Sequence, residues 1–154
     1  MSGFKLENED AERIMKELPD LGRLRKHQRL LNPGVITTSF RIPPTSNFPI
    51  AAVCFSDTIS TSADVGYALS EALSNKIWYC ERRPEPLPET AIWMETFYLT
   101  DSAIRLYSAA EHLANGIIYM LELTDEDLEK FREARTSQQI IVGKYLMENQ
   151  KDSP

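Results

Sequence analysis

Two long stretches with helical spacing, separated by a short proline-rich segment, constrain the fold of this chain most strongly. Apolar residues recur at steps of three and four from Ile50 to about Arg82, which is the spacing of one face of a helix. The same pattern returns from Thr90 to Leu123. Between the two stretches, residues 82–90 contain three prolines, as is typical of a stiff loop. Two helices of about 45 Å joined by so short a loop are expected to form an antiparallel hairpin.

Shorter helical patterns precede this hairpin. Residues 7–18 predict a short amphipathic helix that ends before Pro19, and residues 20–31 predict a second one. Four prolines fall between residues 33 and 49, so we expect an extended connector there. Within the first long helix, residues 60–66 have modest helix propensity and predict a weak point.

Two further helical patterns follow the hairpin. Thr124 with Asp127 three residues later resembles a capping box with a shorter acid. It predicts the start of a charged helix over residues 125–134, and residues 137–149 predict a last amphipathic helix.

These elements predict an all-α up-and-down helical bundle built on two long antiparallel helices. The 154 residues are the size of one domain. We therefore interpret residues 1–154 as a single helical domain, in which residues 1–49 hold the N-terminal helices and the proline-rich connector. Residues 50–150 form its helical core.

Composition excludes several classes of protein. Apolar residues make up 42% and charged residues 26%, which indicates a globular chain, and the net charge of -6 argues against nonspecific coating of nucleic acid. Two cysteines, Cys54 and Cys80, are too few for a disulfide scaffold and predict reduced thiols. The N-terminus lacks the apolar core of a signal peptide, and no uninterrupted apolar run of about 18 residues is present. We predict a cytoplasmic protein that makes no contact with a membrane.

Strong catalytic motifs are absent from the sequence. The two histidines, His27 and His112, do not belong to a metal-binding pattern, so we predict neither a metal nor a cofactor. The six glycines are scattered rather than gathered in a phosphate-binding loop, and no nucleophile elbow occurs.

A line of polar residues crosses the second long helix and is the best candidate for chemistry. It contains Asp101, Arg105, Ser108, His112 and Asn115, at steps of three and four. Arg105 and His112 are seven residues apart, which returns to the same side of a helix within about 20°. A histidine can move the proton of a ribose 2′-hydroxyl while an arginine holds the phosphate, so this pair could cleave RNA without a metal.

The same line also has a purely structural interpretation. Asp101 lies one turn before Arg105 and can pair with it, and Ser108 lies one turn before His112 and can bond to it. A row of polar side chains that bond to one another along a bundle helix can be purely structural. By residue chemistry alone, this interpretation is favoured over catalysis.

Two other groups of residues have a functional and a structural interpretation. A basic segment could contact phosphate locally, although a solvated helix face is favoured; its cations are Arg23, Arg25, Lys26 and Arg29. Six aromatic residues on the long helices could stack on bases, but their helical spacing favours core packing; they are Trp78, Tyr79, Trp93, Phe97, Tyr98 and Tyr107.

The stretch FYLTDSAIRLYSAAEHLANGIIYMLEL, residues 97–123, resembles the helix of HEPN-type proteins. This superfamily consists of small α-helical domains, and the resemblance covers residues 50–150. The residues that carry the resemblance are an aromatic pair, then RLYSA, and then a segment of the form E-x-LAN. The resemblance implies a helical bundle that usually dimerises, and often a metal-independent endoribonuclease of toxin–antitoxin or phage-defence systems.

The resemblance also implies site residues. In HEPN enzymes four to six residues separate an arginine from a histidine, and Arg105 and His112 have six residues between them. They would be catalytic, with Ser108, Glu111 and Asn115 as substrate-binding neighbours. Two departures weaken the match: Leu106 stands where the family often has asparagine, and about 40 residues follow His112 although the family motif is usually near the C-terminus. The alternative is an inactive or partial HEPN-like domain.

Three functional hypotheses follow. The first is a HEPN-like homodimer that binds and cleaves RNA through Arg105 and His112, with a possible antitoxin-like protein partner. The second is a non-catalytic helical module that binds a protein partner or a nucleotide. The third is a structural dimer built on the apolar faces of the two long helices, because residues 103–121 are apolar almost all round.

Overall fold

The computed structural model describes residues 5–20, 26, 29, 31, 47–133 and 135–149. Within these residues the chain is helical and contains no strand. The predicted all-α class is therefore confirmed. The helices are α1 (Asn8–Glu17), α2 (Phe48–Ile77), α3 (Pro88–Leu121), α4 (Asp125–Glu129) and α5 (Gln138–Asn149), with a π-helical segment (Trp78–Arg82) directly after α2.

The chain divides into two compact units. One consists of Met1–Leu24 and Ser62–Leu106, and the other of Arg25–Thr61 and Tyr107–Pro154. The single domain expected over residues 1–154 stays a prediction.

In the first unit, ion pairs show that the two long helices run antiparallel. The Lys76 ammonium on α2 lies 3.2 Å from the Glu95 carboxylate on α3. Twelve residues earlier on α2, Asp64 pairs with Arg105, which comes ten residues later on α3. Most of the buried residues on the two long helices of this unit have small or β-branched side chains; among them are Ser62, Val65, Ala68, Ala72, Ala91 and Ser102.

Helix α1 is held on the π-helical segment by charge. Asp10 is only 2% exposed, and its carboxylate accepts hydrogen bonds from Arg82 at 2.6 to 3.0 Å and from the backbone N–H of Glu7 at 2.9 Å. Arg13 donates two hydrogen bonds to Glu81. The π-helical segment therefore serves as the docking site of α1 within this unit.

In the second unit, Phe55 is the centre of the core. It is 1% exposed and lies with Ala51 on α2, packed by Leu113, Ile117 and Met120 and by Leu31. Helices α4 and α5 form a separate contact in this unit, where the rings of Phe131 and Tyr145 meet edge to face at 6.1 Å. Leu128, Ile141 and Val142 are buried there.

Several helix boundaries agree with the sequence. The helix predicted over residues 7–18 is α1, and that over 137–149 is α5. The predicted cap is confirmed, since the Thr124 hydroxyl accepts a hydrogen bond from the Asp127 N–H.

Other boundaries differ from the predictions. The long helix expected here is observed without a break through residues 60–66, and the weak point expected there stays a prediction. The charged helix expected to reach residue 134 ends at Glu129. Most of the helix predicted over residues 20–31, and most of the proline-rich connector, lie outside the described residues.

Candidate functional site

The guanidinium of Arg105 is held between two carboxylates. Its Nε donates to Asp101 Oδ2 at 2.7 Å, one turn earlier on α3, and an Nη donates to Asp64 Oδ2 on α2 at 2.9 Å. Hydrogen bonding to Asp101 is the largest of the effects that raise the pKa of Arg105 above its usual range. The ion pair that the sequence predicted with Asp101 is confirmed, and Asp64 is a second partner.

This arrangement is unfavourable for a phosphate. One cation beside two carboxylates leaves a local excess of negative charge, which repels a phosphate anion. An incoming phosphate would also have to displace a carboxylate from the arginine fork. In the described geometry, Arg105 therefore acts as a link between α2 and α3 of the first unit.

His112 lies further along α3 and is half-buried. It belongs to the second unit and Arg105 to the first, so a shared face for the pair stays a prediction from helical spacing. Among the described residues, the structure gives no hydrogen bond or ion pair to the His112 side chain, so the bond expected from Ser108 is not formed.

The predicted substrate-binding residues Ser108, Glu111 and Asn115 are all half-buried on α3. Glu111 is distinctive because its Oε1 atom is buried and has no hydrogen-bond partner in the structure. A buried carboxylate oxygen is costly to leave unpaired. Their role as substrate contacts stays a prediction.

The predicted phosphate-contacting segment is described in part. Lys26 and Arg29 are helical and exposed, as a solvated helix face requires. Arg23 and Arg25 lie outside the described residues.

The described residues contain no cluster of histidine, cysteine, aspartate or glutamate side chains that could hold a metal ion. Cys54 is half-buried and Cys80 is exposed, and both are free thiols. Burial, with the charge of Asp57 adding to it, raises the pKa of the Cys54 thiol. This thiol is therefore less ionised, and less nucleophilic, than an ordinary cysteine.

The most unusual surface is on α3, on the side opposite the ion pairs. Between residues 92 and 106 every exposed position is uncharged, and six of the nine carry large apolar side chains that are between 45% and 66% exposed. We call these nine residues the outer face: Ile92, Trp93, Thr96, Phe97, Leu99, Thr100, Ala103, Ile104 and Leu106. At 100° per residue they cover about half of the helix circumference.

The outer face corrects part of the sequence interpretation. Trp78 is buried, as core packing predicts, but Trp93 and Phe97 are 66% and 55% exposed and stack on each other at 6.2 Å between centroids. Tyr107 is exposed as well. The signal was present in the sequence, since no charged residue interrupts the outer face, but helical spacing alone does not tell which side of an apolar helix the rest of the chain covers.

Comparison of the chain with protein-family models, with curated proteins and with solved structures finds no match. None of the described helices is both long enough and apolar enough to cross a membrane.

Proposed function

We propose that this chain is a HEPN-like, non-catalytic interaction module that works as a homodimer in the cytoplasm. The observation that carries the proposal is the outer face of α3. A monomeric protein rarely exposes a contiguous apolar patch of more than a few hundred Å², and larger patches mark interaction sites. The charged residues Glu95 and Arg105 of this helix instead form ion pairs with α2.

The electrostatics of the chain support a protein partner over RNA. The net charge is -6, and Arg105 is neutralised by Asp64 and Asp101. Affinity for nucleic acid depends mainly on lysine and arginine contacts to phosphate. An uncharged apolar surface has no such contacts to offer and fits another protein surface better.

The proposal is tested by measuring mass and nuclease activity on the same purified protein. We expect light scattering after size exclusion to give twice the 17.6 kDa of the chain. We expect no cleavage of total RNA in the absence of metal. A monomeric mass, or cleavage that copurifies with the protein, would contradict the proposal.

A second candidate is the metal-independent HEPN-type endoribonuclease of a toxin–antitoxin or phage-defence system. The six-residue spacing between Arg105 and His112 favours it, as does a His112 side chain without a partner among the described residues. In this case the dimer would act on RNA and an antitoxin-like protein would restrain it.

The second candidate has its own experiment. Wild type and the Arg105→Ala/His112→Ala double variant are expressed, and growth arrest and RNA cleavage without added metal are compared. Loss of both effects in the double variant would establish the ribonuclease. Equal behaviour of the two proteins would exclude these residues as catalytic.

A further inference from the structure

One row of the outer face has a strict seven-residue repeat. Ile92, Leu99 and Leu106 follow one another at steps of seven, with Thr96 and Ala103 between them at steps of four and three. Apolar positions at alternating steps of four and three are the pattern by which one helix packs on another. All five positions are exposed and belong to the first unit, so no described residue of that unit covers this row.

We propose that a second copy of α3 covers the outer face and packs antiparallel against it. This inference rests on the proposed homodimer and adds its surface and its geometry. In a two-fold symmetric interface the same surface meets itself, so any charge on it would face its own copy. The outer face contains no charge, although the chain as a whole carries a net charge of -6. This surface can therefore approach a second copy without local repulsion.

The sizes of the side chains determine the orientation. In a parallel pair, equivalent positions meet, so Leu99 would face Leu99 in one layer and Ala103 would face Ala103 in the next. Such layers are alternately overfilled and underfilled, and both defects are costly in a packed interface. In an antiparallel pair each large residue meets the small row, so that Leu99 packs against Thr96 or Ala103 of the other copy. Antiparallel packing also opposes the two helix dipoles favourably.

The exposed area is sufficient for a specific interface. Trp93 and Phe97 expose about 100 Å² each, since a buried aromatic side chain accounts for roughly 150–250 Å² and these are about half exposed. The four aliphatic side chains of the outer face are exposed to a similar fraction but are smaller, so the six together supply roughly 400–600 Å² per copy. A standard protein interface buries about 800 Å² per partner. The remaining area can come from Thr96, Thr100 and Ala103 and from the edges of the face.

A lipid surface is a poorer occupant. Helices that lie on membranes combine an apolar face with lysine and arginine on the adjoining polar side, which attract anionic headgroups. On α3 between residues 92 and 106, the charged residues are Glu95, Asp101 and Arg105, all outside the outer face. The arginine is already paired with two carboxylates, so the helix presents no net positive charge to a membrane.

The test combines single charges with complementary mixtures in the full chain. Leu99→Glu places a charge at the centre of the row and is expected to weaken the dimer roughly 30-fold or more, as for a hot-spot residue. Ile92→Lys and Leu106→Glu place charges at its two ends, about 21 Å apart. Met15→Lys is the matched control, because Met15 is 69% exposed on α1 of the same unit. It should leave the dimer unchanged, and circular dichroism confirms that each variant is folded.

The mixtures report the orientation. In an antiparallel dimer Ile92 lies within about one turn of Leu106 of the other copy, close enough for a lysine to reach a glutamate, so mixing Ile92→Lys with Leu106→Glu should restore dimerisation. Mixing Ile92→Lys with Ile92→Glu should not. The reverse result would establish parallel packing and overturn the antiparallel arrangement.

Two further outcomes separate this inference from the proposed function. A wild-type dimer that none of the outer-face charges disturbs would overturn the surface assigned here and leave the homodimer standing. A wild type that stays monomeric at about 100 μM, a concentration far above an ordinary dimer Kd, would overturn both. Binding of such a monomer to lipid vesicles, abolished by Leu99→Glu, would then assign the outer face to a membrane surface.

Discussion

The ring of Phe55 on α2 occupies the space that a side chain on Gly116 of α3 would need. A β-carbon built on Gly116 would lie 2.5 Å from Cε1 of Phe55 and 2.7 Å from Cδ1. Phe55 is 1% exposed and is packed by three apolar residues of α3, so the ring has little room to retreat. The absence of a side chain at position 116 therefore sets the distance between α2 and α3 in the second unit.

Gly116→Ala is expected to destabilise the protein. Overpacking of a core typically costs about 1–3 kcal/mol, and the better helix propensity of alanine returns up to about 1 kcal/mol. We expect a net loss of about 1–2 kcal/mol in the free energy of unfolding, measured with urea. Gly143→Ala is the control, because no atom lies within 4 Å of a β-carbon there. That variant should be neutral or more stable, and equal losses in both variants would refute the steric explanation.

The Asp10 carboxylate should make stability depend on pH. Hydrogen bonds from Arg82 lower the pKa of Asp10 in the folded protein, and burial opposes them only in part. The folded protein therefore binds this proton more weakly than the unfolded chain, whose aspartates have a pKa of about 3.9. The stability from this group is present above that value and is lost as the pH falls through it towards the folded pKa.

The measurement compares wild type with Asp10→Asn by urea unfolding at several pH values. The difference in unfolding free energy between wild type and Asp10→Asn should be largest at neutral pH and should become smaller below about pH 4. Glu17→Gln is the control, since it removes only the exposed pair with Arg13. A difference between wild type and Asp10→Asn that does not change with pH would mean that Asp10 acts through packing alone.

The ion pair of Arg105 with Asp101 can be tested with a double-mutant cycle. Arg105→Met and Asp101→Asn remove two ends of the same ion pair, so their combined effect on stability should be smaller than the sum of the single effects. Arg105→Met combined with Glu95→Gln should be additive, because Glu95 pairs with Lys76 instead. Additivity in both cycles would show that the pair with Asp101 contributes nothing to stability.

Glu122 ends α3 in a left-handed backbone conformation. Its φ angle is +52°, and the next backbone N–H, that of Leu123, donates to the carbonyl of Ile118. Glycine adopts this conformation without strain, so Glu122→Gly should raise the melting temperature, with a gain in unfolding free energy of about 0.5–1 kcal/mol. Glu12→Gly, at an exposed position in the middle of α1, should instead cost about 0.5–1 kcal/mol. A loss of stability in Glu122→Gly would contradict this explanation.

The helical class and most helix positions could be predicted because they depend on local signals. Apolar spacing identified α2 and α3, and the Thr124 hydroxyl identified the start of α4. The π-helical segment could not be predicted, because apolar spacing continues through Trp78 into it. Its backbone is stabilised partly from outside, since Leu87 donates its N–H to the Tyr79 carbonyl.

The candidate site, too, could be predicted only where it depends on residues close together in the sequence. The pairing of Arg105 with Asp101 follows from their spacing of four residues, whereas Asp64 is 41 residues away and becomes a neighbour only after the long helices pack. The exposure of Trp93 was not predictable either, because an apolar helix side has the same sequence pattern whether its own chain or another chain covers it.

The two ion pairs that join α2 and α3 in the first unit have a consequence for alignment. Most of the buried side chains of these helices in this unit are small and do little by themselves to exclude a slide by one turn. A slide of about 5.4 Å would, however, separate Lys76 from Glu95 and Asp64 from Arg105. Arg105 would keep only Asp101, its partner on the same helix, and the other three ions would lose their partners. The two ion pairs therefore select a single register of α2 against α3, even though each pair contributes little to stability by itself.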